Sequence, residues 1–94
     1  MKIFEDLYFK PHPYGIGLQA KMFFENGYGV SVVRFKTHGL YFSYTDNENE
    51  WELAVLFGDE NDSYISYSTD ITDNVLGHLS SDEVTDIMIK IQNL

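Results

Sequence analysis

The sequence predicts an α+β domain, in which an antiparallel β-meander of four to five strands carries a C-terminal helix on one face. Three observations support this fold class. Between residues 18 and 68, short segments of alternating apolar and polar residues are separated by turns, as in strands. From residue 80 the apolar period changes to that of a helix. The 94 residues contain no cysteine, so residues 1–94 are expected to form one domain around one core without disulfides.

The first seventeen residues have the least definite pattern. The apolar side chains of residues 1–9 suit either a short helix or a strand, and both remain open. The KPHPYGIG segment at 10–17 predicts a loop. Its prolines lack backbone donors, and its glycines permit positive φ.

Strand character follows in five segments. The first two flank Asn26-Gly27, a dipeptide favoured in tight turns, so they predict a β-hairpin. Turns at 37–39, 46–50 and 58–62 separate the later segments. The predicted strands cover residues 18–24, 30–35, 40–45, 51–57 and 64–68. Their short connections favour antiparallel pairing.

The C-terminal segment predicts a helix over 81–93. Its apolar residues form one helical stripe: Val84, Ile87, Met88, Ile91 and Leu94. Ser80 and Glu83 have the spacing of a capping box, which marks the start of this helix. A short helix over 71–79 is expected just before it, with Thr72 or Asp73 as its N-cap.

Charge is the strongest global feature of the sequence. The net charge is −9, from 15 acidic and 6 basic residues. Residues 1–36 hold five basic and three acidic residues, which gives a net charge of +2. Residues 37–94 hold one basic and twelve acidic residues, which gives a net charge of −11. A chain without a basic stripe is not expected to bind nucleic acid directly. Without an apolar run of membrane-spanning length or a signal-peptide pattern, a cytoplasmic location is expected, with no membrane partner.

The residue patterns indicate no enzyme, cofactor or metal site. The three histidines, His12, His38 and His78, lie far apart in the sequence, so no two have chelating spacing. Asp59, Asn61, Ser63 and Asp70 match positions 1, 3, 5 and 12 of a calcium loop, but Tyr64 occupies the position where that loop needs glycine. No nucleophile elbow or phosphate-binding loop is present in the sequence.

Two acidic turns are the candidate partner-binding residues. They flank the predicted strand at 51–57 and would meet a basic surface on another protein. The candidate residues are Asp46, Glu48, Glu50, Asp59, Glu60 and Asp62. The alternative is that these charges serve only to keep a small protein soluble.

Five motifs make the chain similar to a family of small bacteriophage-encoded proteins of unknown function. They are NGYGVSVVR at 26–34, SYT at 43–45, WELAVL at 51–56, the TDIT run from 69 and the terminal EV…I…IQ helix. The resemblance implies a phage accessory protein in a bacterial cytoplasm, where short acidic proteins often block a host enzyme or defence system.

Two functions therefore stand as expectations. The first is inhibition of a host system that handles nucleic acid, with the acidic chain acting as a nucleic-acid mimic. The alternative is a structural or housekeeping phage protein that self-associates and inhibits nothing. A homodimer is expected in addition, because the chain has little core for its aromatic content and an exposed edge strand offers unpaired backbone groups to a second copy.

Overall fold

The computed structural model describes residues 1–13, 16–72 and 74–94. A 3₁₀ helix at Phe4–Asp6 precedes the strands β1 (Lys10–Pro11), β2 (Ile16–Phe23), β3 (Tyr28–Thr37), β4 (Leu40–Tyr41), β5 (Trp51–Gly58), β6 (Ser63–Ile65) and β7 (Leu76–Leu79), and the helix α1 (Ser81–Gln92) ends the chain. The strands pair antiparallel in the order β1-β2-β3-β5-β6, while β4 pairs with β3 and β7 with β5. The predicted α+β class is confirmed, with more strands than the predicted four to five.

The apolar core lies between α1 and one face of the sheet. Alternate residues of the central strands point to this face, and the register places Val30 opposite Val55 and Val32 opposite Leu53. The side chains that are at most 1% exposed are Ala20, Val30, Val32, Leu53, Val55, Val84, Met88 and Ile91. The predicted helical stripe therefore faces the sheet, except that Leu94 is exposed.

Helix α1 begins as the sequence predicts. The Ser80 hydroxyl accepts the Glu83 backbone N–H, and the Glu83 carboxylate accepts the Ser80 backbone N–H. This capping box satisfies two backbone donors that the helix itself cannot bond. In the described part of the chain, no helix has the length and apolar character needed to cross a membrane.

The predicted helix over 71–79 is wrong, because residues 76–79 form the strand β7. This strand pairs with the first half of β5, the part that β6 does not reach. Pairing there satisfies backbone groups of β5 that would otherwise lie unbonded at a buried edge. Asp73, one of the two predicted N-caps, lies outside the described residues.

The N-terminal loop and the fourth strand also differ from the prediction. In the 10–17 segment, Lys10 and Pro11 form β1 and pair with β2. Ile16 and Gly17 already belong to β2. Gly15 lies outside the described residues. Proline is tolerated in β1 because an edge strand needs no donor on its free side. The strand predicted at 40–45 stops at Tyr41. Beyond it, the Phe42 backbone N–H still donates to the Phe35 carbonyl oxygen, and the Ser43 hydroxyl accepts the Phe35 backbone N–H.

Candidate functional site

The structure brings three ionisable side chains together beside the start of β5. Asp46 and Glu50 belong to the loop before this strand, and His78 belongs to β7. The Nδ1 atom of His78 lies 3.0 Å from Glu50 Oε1 and 3.4 Å from Asp46 Oδ2. The ligand atoms of all three residues lie within 4.8 Å of one another. We call this group the Asp46–Glu50–His78 cluster.

His78 reaches the cluster because of a bulge in β7. Trp51 pairs with Leu79 and Leu53 with Leu76, so β7 has one more residue than β5 between the two paired positions. Both leucines pack against the core, and His78 adopts φ +55° between them. A bulge of this kind redirects a side chain, and here the imidazole meets the 46–50 loop.

Hydrogen bonds hold the loop before β5 in place. The Ser43 hydroxyl accepts the Phe35 backbone N–H at 3.1 Å, and it lies 2.8 Å from the Thr45 hydroxyl; both of these hydroxyl residues are buried. The Arg34 guanidinium donates to the Glu48 carbonyl oxygen. The loop is therefore an ordered structure, although the side chains of Asp46 and Glu48 face solvent.

Tyr44 connects the loop to β7 and β5. The His78 backbone N–H donates to the Tyr44 carbonyl oxygen at 2.7 Å, and the Tyr44 backbone N–H donates to Glu52 Oε2 at 3.1 Å. Both strands thus fix the backbone two residues before Asp46. The backbone is therefore held in place both at Tyr44, before Asp46, and at His78.

The protonation of the cluster follows from its contacts. The hydrogen bond from the Asp46 backbone N–H and the one with His78 lower the pKa of Glu50. The hydrogen bond with Glu50 raises the pKa of His78, and the charge of Asp46 adds to this effect. Partial burial raises the pKa of the neighbouring Glu52, although its bond from Tyr44 opposes the shift. The first two shifts favour an ionised Glu50 and a protonated His78.

The second predicted acidic turn lies at the other end of β5. The Asp59 carboxylate accepts the backbone N–H groups of Asn61 and Asp62 at 2.9 and 3.0 Å, which closes the turn between β5 and β6. Asp59, Glu60 and Asp62 are all exposed. Since β5 separates the two turns by roughly 20 Å at about 3.3 Å per residue, they do not form one compact patch.

The six predicted partner-binding residues therefore differ in their local roles. Glu50 and Asp59 organise their own turns through backbone hydrogen bonds. Asp46 is exposed and contacts His78, while the exposed side chains of Glu48, Glu60 and Asp62 accept no hydrogen bond from the described residues. These four are the residues whose carboxylates are most available to a partner.

No local sequence pattern indicates the contribution of His78. Its nearest cluster partner, Glu50, lies 28 residues away in the chain, so no local spacing links them. The prediction of a helix over 71–79 also gave His78 the wrong setting. Even a strand assignment there would not have shown that β7 pairs with β5, the pairing that brings His78 to the residues before β5.

Comparisons with protein-family models, curated proteins and solved structures found no match to this chain.

Proposed function

We propose that this chain is a bacteriophage accessory protein that binds a basic surface on a host protein in the bacterial cytoplasm. Binding, and not catalysis, is its activity. The bound host protein is an enzyme or defence component that handles nucleic acid, and carboxylates of the chain take the places of phosphates. The phage origin rests on the sequence resemblance alone.

The distribution of charge across the sheet carries this proposal. Four of the six basic residues lie on β1 to β3: Lys10, Lys21, Arg34 and Lys36. The two acidic turns flank β5, which follows β3 in the sheet order. The uneven charge of the sequence is thus kept in part in the folded molecule; Arg34 is the exception, because its guanidinium donates to the Glu48 carbonyl oxygen in the first acidic turn. An acidic side attracts a basic partner over a long range and repels nucleic acid itself.

The contact surface is one of the two turns or runs along β5 between them. Variants that remove two charges at one turn distinguish these arrangements. Asp46→Asn with Glu48→Gln changes the first turn, and Glu60→Gln with Asp62→Asn changes the second. Glu50 and Asp59 are left intact because their carboxylates hold the turns.

The test uses the immobilised full chain and a nuclease-treated bacterial lysate. We expect it to retain a host protein that duplex DNA displaces, because mimic and DNA compete for the same basic surface. Neutralising the contacting turn should slow association by up to about tenfold at low salt, and the difference should shrink as salt screens the charges.

A matched control removes the same number of charges elsewhere. Glu5→Gln with Asp86→Asn alters exposed residues on the 3₁₀ helix and on α1, outside the two acidic turns. This variant should associate like the original chain. If the chain retains a host protein, but neither turn variant nor duplex DNA changes this retention, the proposal is contradicted. The acidic residues would then serve solubility.

A second function is favoured by exposed aromatic side chains. Phe42, Tyr44, Tyr64 and Tyr67 are each more than half exposed. Large exposed apolar groups are typical of protein interfaces, so self-association into a homodimer is the alternative function. In this case the chain is a structural or housekeeping phage protein.

A further inference from the structure

The Asp46–Glu50–His78 cluster has the composition of a metal site. Once His78 releases its Nδ1 proton to solvent, as metal binding requires, the cluster offers one imidazole nitrogen and two carboxylate oxygens, the ligand types that zinc accepts. We infer that these three side chains bind a divalent first-row transition metal of the zinc class, with water in the fourth position.

Two of the three distances between ligand atoms in the cluster are close to those of tetrahedral coordination. Zinc lies about 2.0 to 2.2 Å from nitrogen and oxygen ligands, so neighbouring ligand atoms of a tetrahedron are about 3.3 to 3.6 Å apart. His78 Nδ1 lies 3.0 Å from Glu50 Oε1 and 3.4 Å from Asp46 Oδ2. The third pair of ligand atoms, those of Asp46 and Glu50, lies within 4.8 Å, so side-chain movements are needed to place one ion against all three. The Asp46 side chain is 80% exposed and has room to make them.

The ligand set also indicates which metals are bound. Calcium takes six to eight oxygen ligands, and magnesium requires an octahedron of oxygen atoms and retains several waters. An imidazole with two carboxylates, open to solvent on one side, instead suits a tetrahedral borderline metal with three protein ligands. The His78 side chain is 52% exposed, so an ion reaches the cluster from solvent.

Contacts around the cluster orient two of the three ligands. The Asp46 backbone N–H donates to Glu50 Oε1 at 2.8 Å, and the Tyr44 carbonyl fixes the backbone of His78. Such supporting contacts limit the movement of ligands before the metal arrives. The net charge of −11 on residues 37–94 adds a general attraction for cations. This inference needs no host partner and is independent of the proposed function.

Calorimetric titration of the chelator-treated full chain with zinc chloride tests the site. We expect one zinc ion per chain and no saturable heat from magnesium or calcium chloride in the same buffer. Cobalt(II) in place of zinc should give the intense visible absorption of tetrahedral coordination.

The decisive variant is His78→Asn, matched by His38→Asn. Both histidines have positive φ, +55° and +52°, and asparagine tolerates this conformation, so each variant keeps its backbone. Circular dichroism checks the folding of both. His78→Asn should weaken zinc binding by at least about tenfold. Removing a residue that only supports a metal ligand costs about 10- to 100-fold in affinity, and removing a ligand itself should cost no less. His38→Asn should leave it unchanged. No zinc binding by the original chain, or equal binding by His78→Asn, would overturn the inference.

Discussion

At the scale of single residues, His78 and Glu50 stabilise each other in opposite charge states. The pKa of His78 is raised, so its contribution is complete below its ordinary value of 6.5 and is lost as pH rises through the folded value. The pKa of Glu50 is lowered, so its contribution is present above 4.5 and is lost as pH falls through its folded value. The pair therefore contributes most between about pH 4.5 and 6.5.

This window predicts a pH-dependent difference between the chain and its His78→Asn variant. In metal-free buffer, the melting temperature of the variant should fall furthest below that of the original chain near about pH 5.5, and approach it as pH rises through the raised pKa of His78. Glu52 has a raised pKa and favours the fold at low pH, but it is present in both proteins and cancels in the difference. A difference that stays constant from about pH 5 to 8 would show that the ion pair is not responsible.

At the scale of elements, β7 shows where sequence periodicity misleads. Val75, Leu76 and Leu79 have the spacing of a helical face, which predicted a helix. A strand bulge produces the same spacing, because its extra residue returns the next side chain to the original face. The strands around Asn26-Gly27 and the helix α1 followed local patterns and were predicted correctly. The pairing of β7 with β5 depends on an edge that forms only in the folded sheet, as does the placement of His78.

Gly77→Ala tests how closely β7 packs on the loop before β5. An added Cβ would lie 2.4 Å from the Tyr44 Cβ and 2.9 Å from its carbonyl oxygen, so backbone must move. We expect a loss of about 1 to 3 kcal/mol in the free energy of unfolding, as for other overpacked sites, measured by urea denaturation. The pH-dependent loss of melting temperature caused by His78→Asn should be smaller in the Gly77→Ala background, because the loop and β7 separate.

Gly39→Ala serves as the comparison for this substitution. Nothing lies within 4 Å of an added Cβ there, and only its φ of +78° opposes the change, at a cost of about 1 to 2 kcal/mol. Gly39→Ala should leave the pH-dependent loss of melting temperature caused by His78→Asn unchanged. Full retention of the pH difference in Gly77→Ala would contradict the close contact between β7 and Tyr44.

At the scale of the whole molecule, salt separates the two proposed functions. Two copies of a chain with a net charge of −9 repel each other, and salt screens this repulsion. Self-association through exposed aromatic side chains should therefore strengthen as salt rises. Binding of the acidic side to a basic host protein should weaken under the same change, because salt screens an attraction.

Sedimentation equilibrium at micromolar concentration, in low and in high salt, measures the first effect. If the aromatic side chains form a homodimer, the weight-average mass should rise from near 10.9 kDa towards twice that value as salt is added.

Phe42→Glu should keep the mass at the monomer value, because Phe42 is 60% exposed and the new carboxylate would be buried in the dimer. Lys90→Glu, on the exposed side of α1, changes the charge further in the negative direction and should still dimerise in high salt. A single 10.9 kDa species under all these conditions would remove self-association and leave binding to a host protein as the remaining function.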